Sequence, residues 1–258
     1  MKGWLVATAL LTAAPVWAQE NALRPSETWE DLRESVIGLT EEPPVDPAML
    51  DLDAPIRAND AAIVPIRISQ PSDAPALTDL MLVIDANPAP VAAEYTFGEA
   101  LMPLDFEVRV RVDAYTDLRA IGTLADGGNV MAGRFVKASG GCSAPAGKDM
   151  AAVRDSMGEM RWKTAQEDGR TLGTLMIRHP MFSGLQRDQV TLMNIPAHFI
   201  DRLEVKQGDE VLFTMEAGIS VSEDPVFRFA YEPNGQPISV HAEDTEGNIW
   251  DQTFDAAG

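Results

Sequence analysis

The sequence predicts an all-β protein made of two β-sandwiches joined by a short helix. Three observations carry this. Eighteen prolines and nineteen glycines among 258 residues punctuate a chain with few helical stretches, as expected for many short strands and turns. Hydrophobic residues make up 45%, enough for the cores of one large or two ordinary domains. Apolar residues also recur at period two. In LDFEVRVRVDA (104–114), Leu104, Phe106, Val108, Val110 and Val112 alternate with Asp105, Glu107, Arg109, Arg111 and Asp113. This pattern puts one face in a core and the other, with Arg111, in water.

The elements follow in order. MKGWLVATALLTAAPVWAQE opens the chain. Lys2 precedes an apolar run of about ten residues, and Val16-Trp17-Ala18 fits a small-x-small cleavage site. Such a run is shorter than the roughly 20 residues a membrane span needs. Residues 1–18 are therefore expected to be a cleaved secretory signal, which makes the mature chain periplasmic. SETWEDLRESVIG (26–38) predicts a helix capped by Ser26, acidic in its first turns and ended by Gly38. Residues 41–60 read as an extended connection. Strands are expected at 61–68, where Pro65 marks an edge or bulge, and at 78–86, 91–97, 104–114, 117–125 and 129–138. The last two are joined by Asp126-Gly127-Gly128-Asn129, a hairpin signal. Six strands at short spacing make a sandwich. Met150, Val153, Met157 and Met160 then recur at spacings of three or four and predict a linker helix over 148–163. A second β module follows, with strands near 171–178, 198–206, 210–217, 226–232, 237–243 and 248–254.

Charge excludes several classes. Removing Lys2 and no acid from a chain of net charge −20 leaves −21. Nucleic acid and anionic lipid both demand a basic surface, so neither is an expected partner. Basic proteins are compatible. No Gly-x-Ser-x-Gly, His-Glu-x-x-His or phosphate loop occurs. His179, His198 and His241 lack paired metal-ligand spacing, and structural or surface roles are expected for them. Asp244, Glu246 and Asp251 lack a calcium-loop pattern and read as a solvated hairpin. No metal or cofactor is expected.

The one cysteine, Cys142, lies in KASGGCSAPAG (137–147). Gly140 and Gly141 leave the backbone permissive, so Gly140, Gly141 and Ser143 are expected to form a flexible arm that exposes the thiol. With no second cysteine there is no internal disulfide, though Cys142 could link two chains into a homodimer. Lys137 and Lys148 flank the arm, either lowering the thiol pKa or as solvated surface charges. No histidine is near in sequence to act as a base.

Several stretches resemble a known family. MLVIDANPAPVAAEYTF, VRVRVDAYTDLRAIGTLADGG and GGC resemble SoxY, the carrier subunit of periplasmic sulfur oxidation. LMIRHPMFSGLQRD, IPAHFIDRLEV and SEDPVFRFAYEPNG resemble its partner SoxZ. Their union in one chain is similar to the fused SoxYZ-like carriers associated with quinoprotein dehydrogenases. The resemblance runs from about residue 50 to 254. It implies two immunoglobulin-like sandwiches, a SoxY-like one over 19–147 and a SoxZ-like one over 164–258. It also implies a non-catalytic carrier whose cysteine holds sulfur intermediates. The implied partners are periplasmic sulfur-oxidation enzymes and c-type cytochromes, and a quinoprotein dehydrogenase.

The chain departs from the family in its arm. The SoxY cysteine sits in a Gly-Gly-Cys-Gly-Gly chain end. Here Ser143 and Ala144 replace the trailing glycines and the chain continues. A loop over 138–147, tethered at both ends, projects only about half its contour, roughly 15 Å, and enters a partner as a doubled strand. Two other readings stay open: a redox or assembly adaptor that has lost sulfur carriage, and a thiol-dependent sulfurtransferase or peroxidase. The latter needs a base or anion-binding groups near Cys142.

Overall fold

The computed structural model describes residues 22–145, 155–167, 169–188 and 191–256. Among the described residues helix α1 (Glu27–Ser35) comes first and fourteen strands follow, with a 3-10 turn at Glu99–Leu101 and helical residues at 155–156. The first half holds β1 (Asp51–Asp53), β2 (Val64–Ser69), β3 (Leu77–Ile84), β4 (Val91–Phe97), β5 (Asp105–Val110), β6 (Thr116–Leu124) and β7 (Asn129–Val136). The second holds β8 (Met160–Glu167), β9 (Arg170–Ile177), β10 (Ile200–Gln207), β11 (Glu210–Ala217), β12 (Val226–Tyr231), β13 (Ile238–Asp244) and β14 (Ile249–Phe254).

Each half is an immunoglobulin-like sandwich, and the halves join edge to edge in both layers. One sheet runs β1-β2-β5-β12-β9-β8 and the other β14-β13-β10-β11-β4-β3-β6-β7. The joints are antiparallel: Phe106 of β5 opposes Phe229 of β12, and Tyr95 of β4 opposes Met215 of β11. A strand edge left open would template aggregation, so each half covers the other's edges. The core is correspondingly shared. Phe106 meets Tyr95, Phe213 and Phe229 at centroid distances of 5.1, 5.3 and 6.2 Å, within the range for favourable ring pairs.

The period-two reading of β5 holds for its apolar face. Leu104, Phe106, Val108, Val110 and Val112 are all buried. Helix α1 also forms as expected, with the Ser26 hydroxyl accepting from Trp29 N at 3.3 Å. It packs on the outer face of the larger sheet, placing Trp29 against Val83, Ile121 and Met131.

The linker helix is corrected in part. Most of 148–163 lies outside the described residues, but Met160–Lys163 opens β8 and pairs with β9, Met160 opposite Ile177. Gly158, at φ 84°, ends any helical register before it. The methionine spacing was misleading because Met160 reaches the core from a strand.

Candidate functional site

Cys142 follows β7 on a turn laid against the chain just past β5. Three amides fix the turn. Gly140 N donates to Asp113 O at 2.8 Å, Gly141 N to Val112 O at 3.1 Å, and Cys142 N to Asp113 Oδ1 at 3.2 Å. The receiving segment is itself held by Asn87, whose Nδ2 donates to Arg111 O at 2.8 Å and whose Oδ1 accepts from Asp113 N at 2.9 Å. The second half closes the seam: the Ser183 hydroxyl donates to Cys142 O.

The expected exposed arm is therefore corrected at Gly141 and Cys142, which are buried, while Gly140 is half-buried and Ser143 exposed. Cys142 is 0% exposed. The glycines serve close packing and a turn rather than freedom. Gly140 sits at φ 76°. A Cβ on Gly141 would lie 2.1 Å from Ala61 O and 2.7 Å from Val112 O, so no larger residue fits. Ser143 Oγ reaches only Gly140 O, at 3.5 Å. Yet the burial is shallow, since Ser143 is already exposed. Burial and then Asp113 push the Cys142 thiol up to about 11, while Arg111 pulls it down. In this position the thiol is protonated at neutral pH and a poor nucleophile.

Arg111, assigned to the wet face by its place in the alternation, is 1% exposed. Its backbone N donates to Ser220 O at 2.7 Å, so the second half caps this end of the sheet. Nη1 donates to Gly141 O and Nη2 to Met181 O, each at 3.3 Å. Nε has no partner among the described residues. Burial lowers the Arg111 pKa, against the attraction of Glu223, Cys142 and Asp60.

The structure also brings together what the sequence left scattered. His179, His198 and Asp244, all buried, place their ligand atoms within 4.8 Å of one another. Nε2 of His198 lies 2.6 Å from Asp244 Oδ2 and Nε2 of His179 3.4 Å from it. Three histidine and carboxylate ligands can hold a transition metal, but the hydrogen bonds favour a different use. His179 Nδ1 accepts from Met181 N at 3.0 Å, which leaves the proton on Nε2, facing Asp244. A metal-bound Nε2 would require that proton on Nδ1, against an amide N–H. Asp244 Oδ2 also accepts from Asn248 Nδ2 at 2.8 Å. The cluster reads as a hydrogen-bonded tie that holds the 179–183 segment over the cysteine. Burial, then the neighbouring His198, push His179 down to about 4. His241 stays apart on β13, bonded to Asp251 and Glu243. Asp244 Oδ1 caps the β13–β14 turn by accepting from Glu246 N and Asn248 N.

Two family models match the chain. That of sulfur oxidation protein SoxY covers residues 35–142 and ends on the cysteine. That of sulphur oxidation protein SoxZ covers 160–255 and begins on the first residue of β8. The chain is a fused member of the SoxYZ family. It joins a SoxY domain to a SoxZ domain, and this family is a carrier family of sulfur oxidation, generally without catalysis of its own. No curated protein matches the sequence. Among the described residues no helix is long and apolar enough to cross a membrane. In these terms, the cysteine of the SoxY domain is roofed by the 179–183 segment of the SoxZ domain.

Proposed function

We propose that this chain is a periplasmic sulfur carrier that holds a sulfur compound covalently on Cys142 and presents it to partner enzymes. The observation that carries the reading is that the SoxY family match ends on Cys142, the one cysteine of the chain. Cys142 is held by a few hydrogen bonds on a turn at the seam of the SoxY and SoxZ domains, one residue from solvent. Five such bonds, that of Arg111 to Gly141 O included, at about 1 kcal/mol each, put the stowed turn about 5 kcal/mol below a released one. Roughly one molecule in several thousand is then open at any moment. Release restores a normal thiol, and a partner that binds only the released form draws the equilibrium toward it. Loading with thiosulfate forms an S–S bond and gives up one proton and two electrons, the electrons passing to an acceptor such as a c-type cytochrome.

Intact mass of the exported protein, purified without reductant from cells given reduced sulfur, tests this. Wild type is expected to carry added sulfur or thiosulfate that Cys142→Ser lacks. A bare thiol under every sulfur supply would overturn the carrier. Burial and the raised thiol pKa favour one rival, an adaptor for a quinoprotein dehydrogenase. Binding to such an enzyme that survives Cys142→Ser, together with a bare thiol, would establish that reading instead.

A further inference from the structure

Arg111 is a buried cation whose hydrogen bonds go to two carbonyl oxygens and not to a carboxylate. Its Nε–H is sealed from water and has no partner among the described residues. Burying a guanidinium this way is costly, and proteins normally supply a counter-charge. Here Glu223 and Asp60 supply it only through space, and neither reaches the guanidinium with a hydrogen bond. The neutral thiol of Cys142 supplies no charge, and neither do the amides of the turn. The group is also bonded to the residue next to Cys142 and spans both domains, through Gly141 on one side and Met181 on the other. Asp113 is spent on the Cys142 amide, so what the seam lacks is an acceptor for the Arg111 Nε–H.

We propose that Arg111 is the recognition group for the anionic end of a sulfur cargo carried on Cys142. An S-thiosulfonate or S-sulfonate ends in a permanently charged sulfonate. A guanidinium with an unused donor binds such an oxyanion through charge-assisted hydrogen bonds. The inference rests on the carrier reading. It adds specificity to that reading, because a charged adduct is drawn back into the seam and shielded, whereas a neutral one is not.

The test loads the thiol chemically. Tetrathionate converts Cys142–SH to Cys142–S–S–SO3⁻, releasing thiosulfate and a proton. Methyl methanethiosulfonate gives the neutral Cys142–S–S–CH3, releasing methanesulfinic acid. Each adduct is then reduced with dithiothreitol, and its rate is divided by that of the same adduct on a peptide spanning 137–145. Wild type should protect the anionic adduct about tenfold or more over the neutral one. Arg111→Met should bring that ratio close to one, and Arg111→Lys should keep part of it. Equal protection of the two adducts in wild type overturns the inference even if the variants fail to fold, and so does a preference unchanged in Arg111→Met. Because loading is chemical, the result is independent of what the cell attaches. A natural adduct with equal protection sinks Arg111 and keeps the carrier. An Arg111-dependent preference with no natural adduct sinks the carrier and keeps an anion site.

Discussion

Arg119 and Arg111 are each 1% exposed, yet their surroundings differ in kind. Arg119, on β6, meets Asp85 through Nε and Nη2 at 3.0 Å and Asp117 at 3.6 Å. Its guanidinium also stacks on Trp29 at 4.0 Å from the ring centroid. Every face of that group is answered, and the cluster pins α1 and the N-terminal segment to the outer face of the SoxY sheet. Arg111 has two carbonyls and an idle N–H. A satisfied buried cation holds a fold together, whereas an unsatisfied one calls for an explanation, which the proposed anionic cargo supplies.

Truncating each arginine should separate the two roles. Arg119→Met leaves Asp85 and Asp117 buried without their cation and is expected to cost about 3–5 kcal/mol. Arg111→Met removes two hydrogen bonds but also a costly buried charge, so the loss should stay near 1 kcal/mol. Urea unfolding of the two variants measures both. Equal losses would erase the distinction and place Arg111 among the structural groups.

Much of the fold was readable from the chain, for a physical reason. Strand periodicity is local, so β2 to β7 and β9 to β14 announce themselves in short windows. The three residues of β1 are too few to show a period, and β8 carried methionines at helical spacing. The edge-to-edge joints were not readable, because β4–β11 and β5–β12 pair segments far apart in the chain and nothing local encodes their register. Arg111 shows the limit most sharply. Period two assigned it to water, but β5 ends at Val110, and past that point Ser220 and the 179–183 segment of the SoxZ domain cover the wet face. The tie of His179, His198 and Asp244 has no sequence spacing at all, since the segments after β9 and before β10 meet the end of β13 to form it. The cysteine was legible as a candidate, while its burial depended on atoms of the other domain.

The next test breaks the seam while leaving the Arg119 cluster untouched. Gly141→Ala would force its methyl against two backbone oxygens, Ala61 O and Val112 O. Both are backbone atoms bonded to neighbouring amides, Ala61 O to Val112 N and Val112 O to Gly141 N, so the turn should be expelled. Cys142 would then react with a neutral alkylating agent about several thousandfold faster than in wild type, the full size of the opening equilibrium. The Trp29 fluorescence environment beside Arg119 should not change. Unchanged alkylation would mean that the turn is not what shields the thiol.

The smallest effect is the most specific. Stowing raises the Cys142 thiol from an ordinary value of 9.0 to about 11, so the stowed turn disfavours the thiolate. Its stability is fully present below pH 9 and is lost as pH rises toward 11. Opening should therefore increase about a hundredfold across that window. Thiolate absorbance, taken as the difference from Cys142→Ser, should titrate near 11 in wild type and near 9 in Gly141→Ala. Arg111 pulls the thiol down while burial and Asp113 push it up, so Arg111→Met should titrate higher still if the turn stays closed. A wild-type midpoint near 9 would show a thiol already in water. A midpoint indifferent to Arg111 would mean that the guanidinium is not directed at the sulfur.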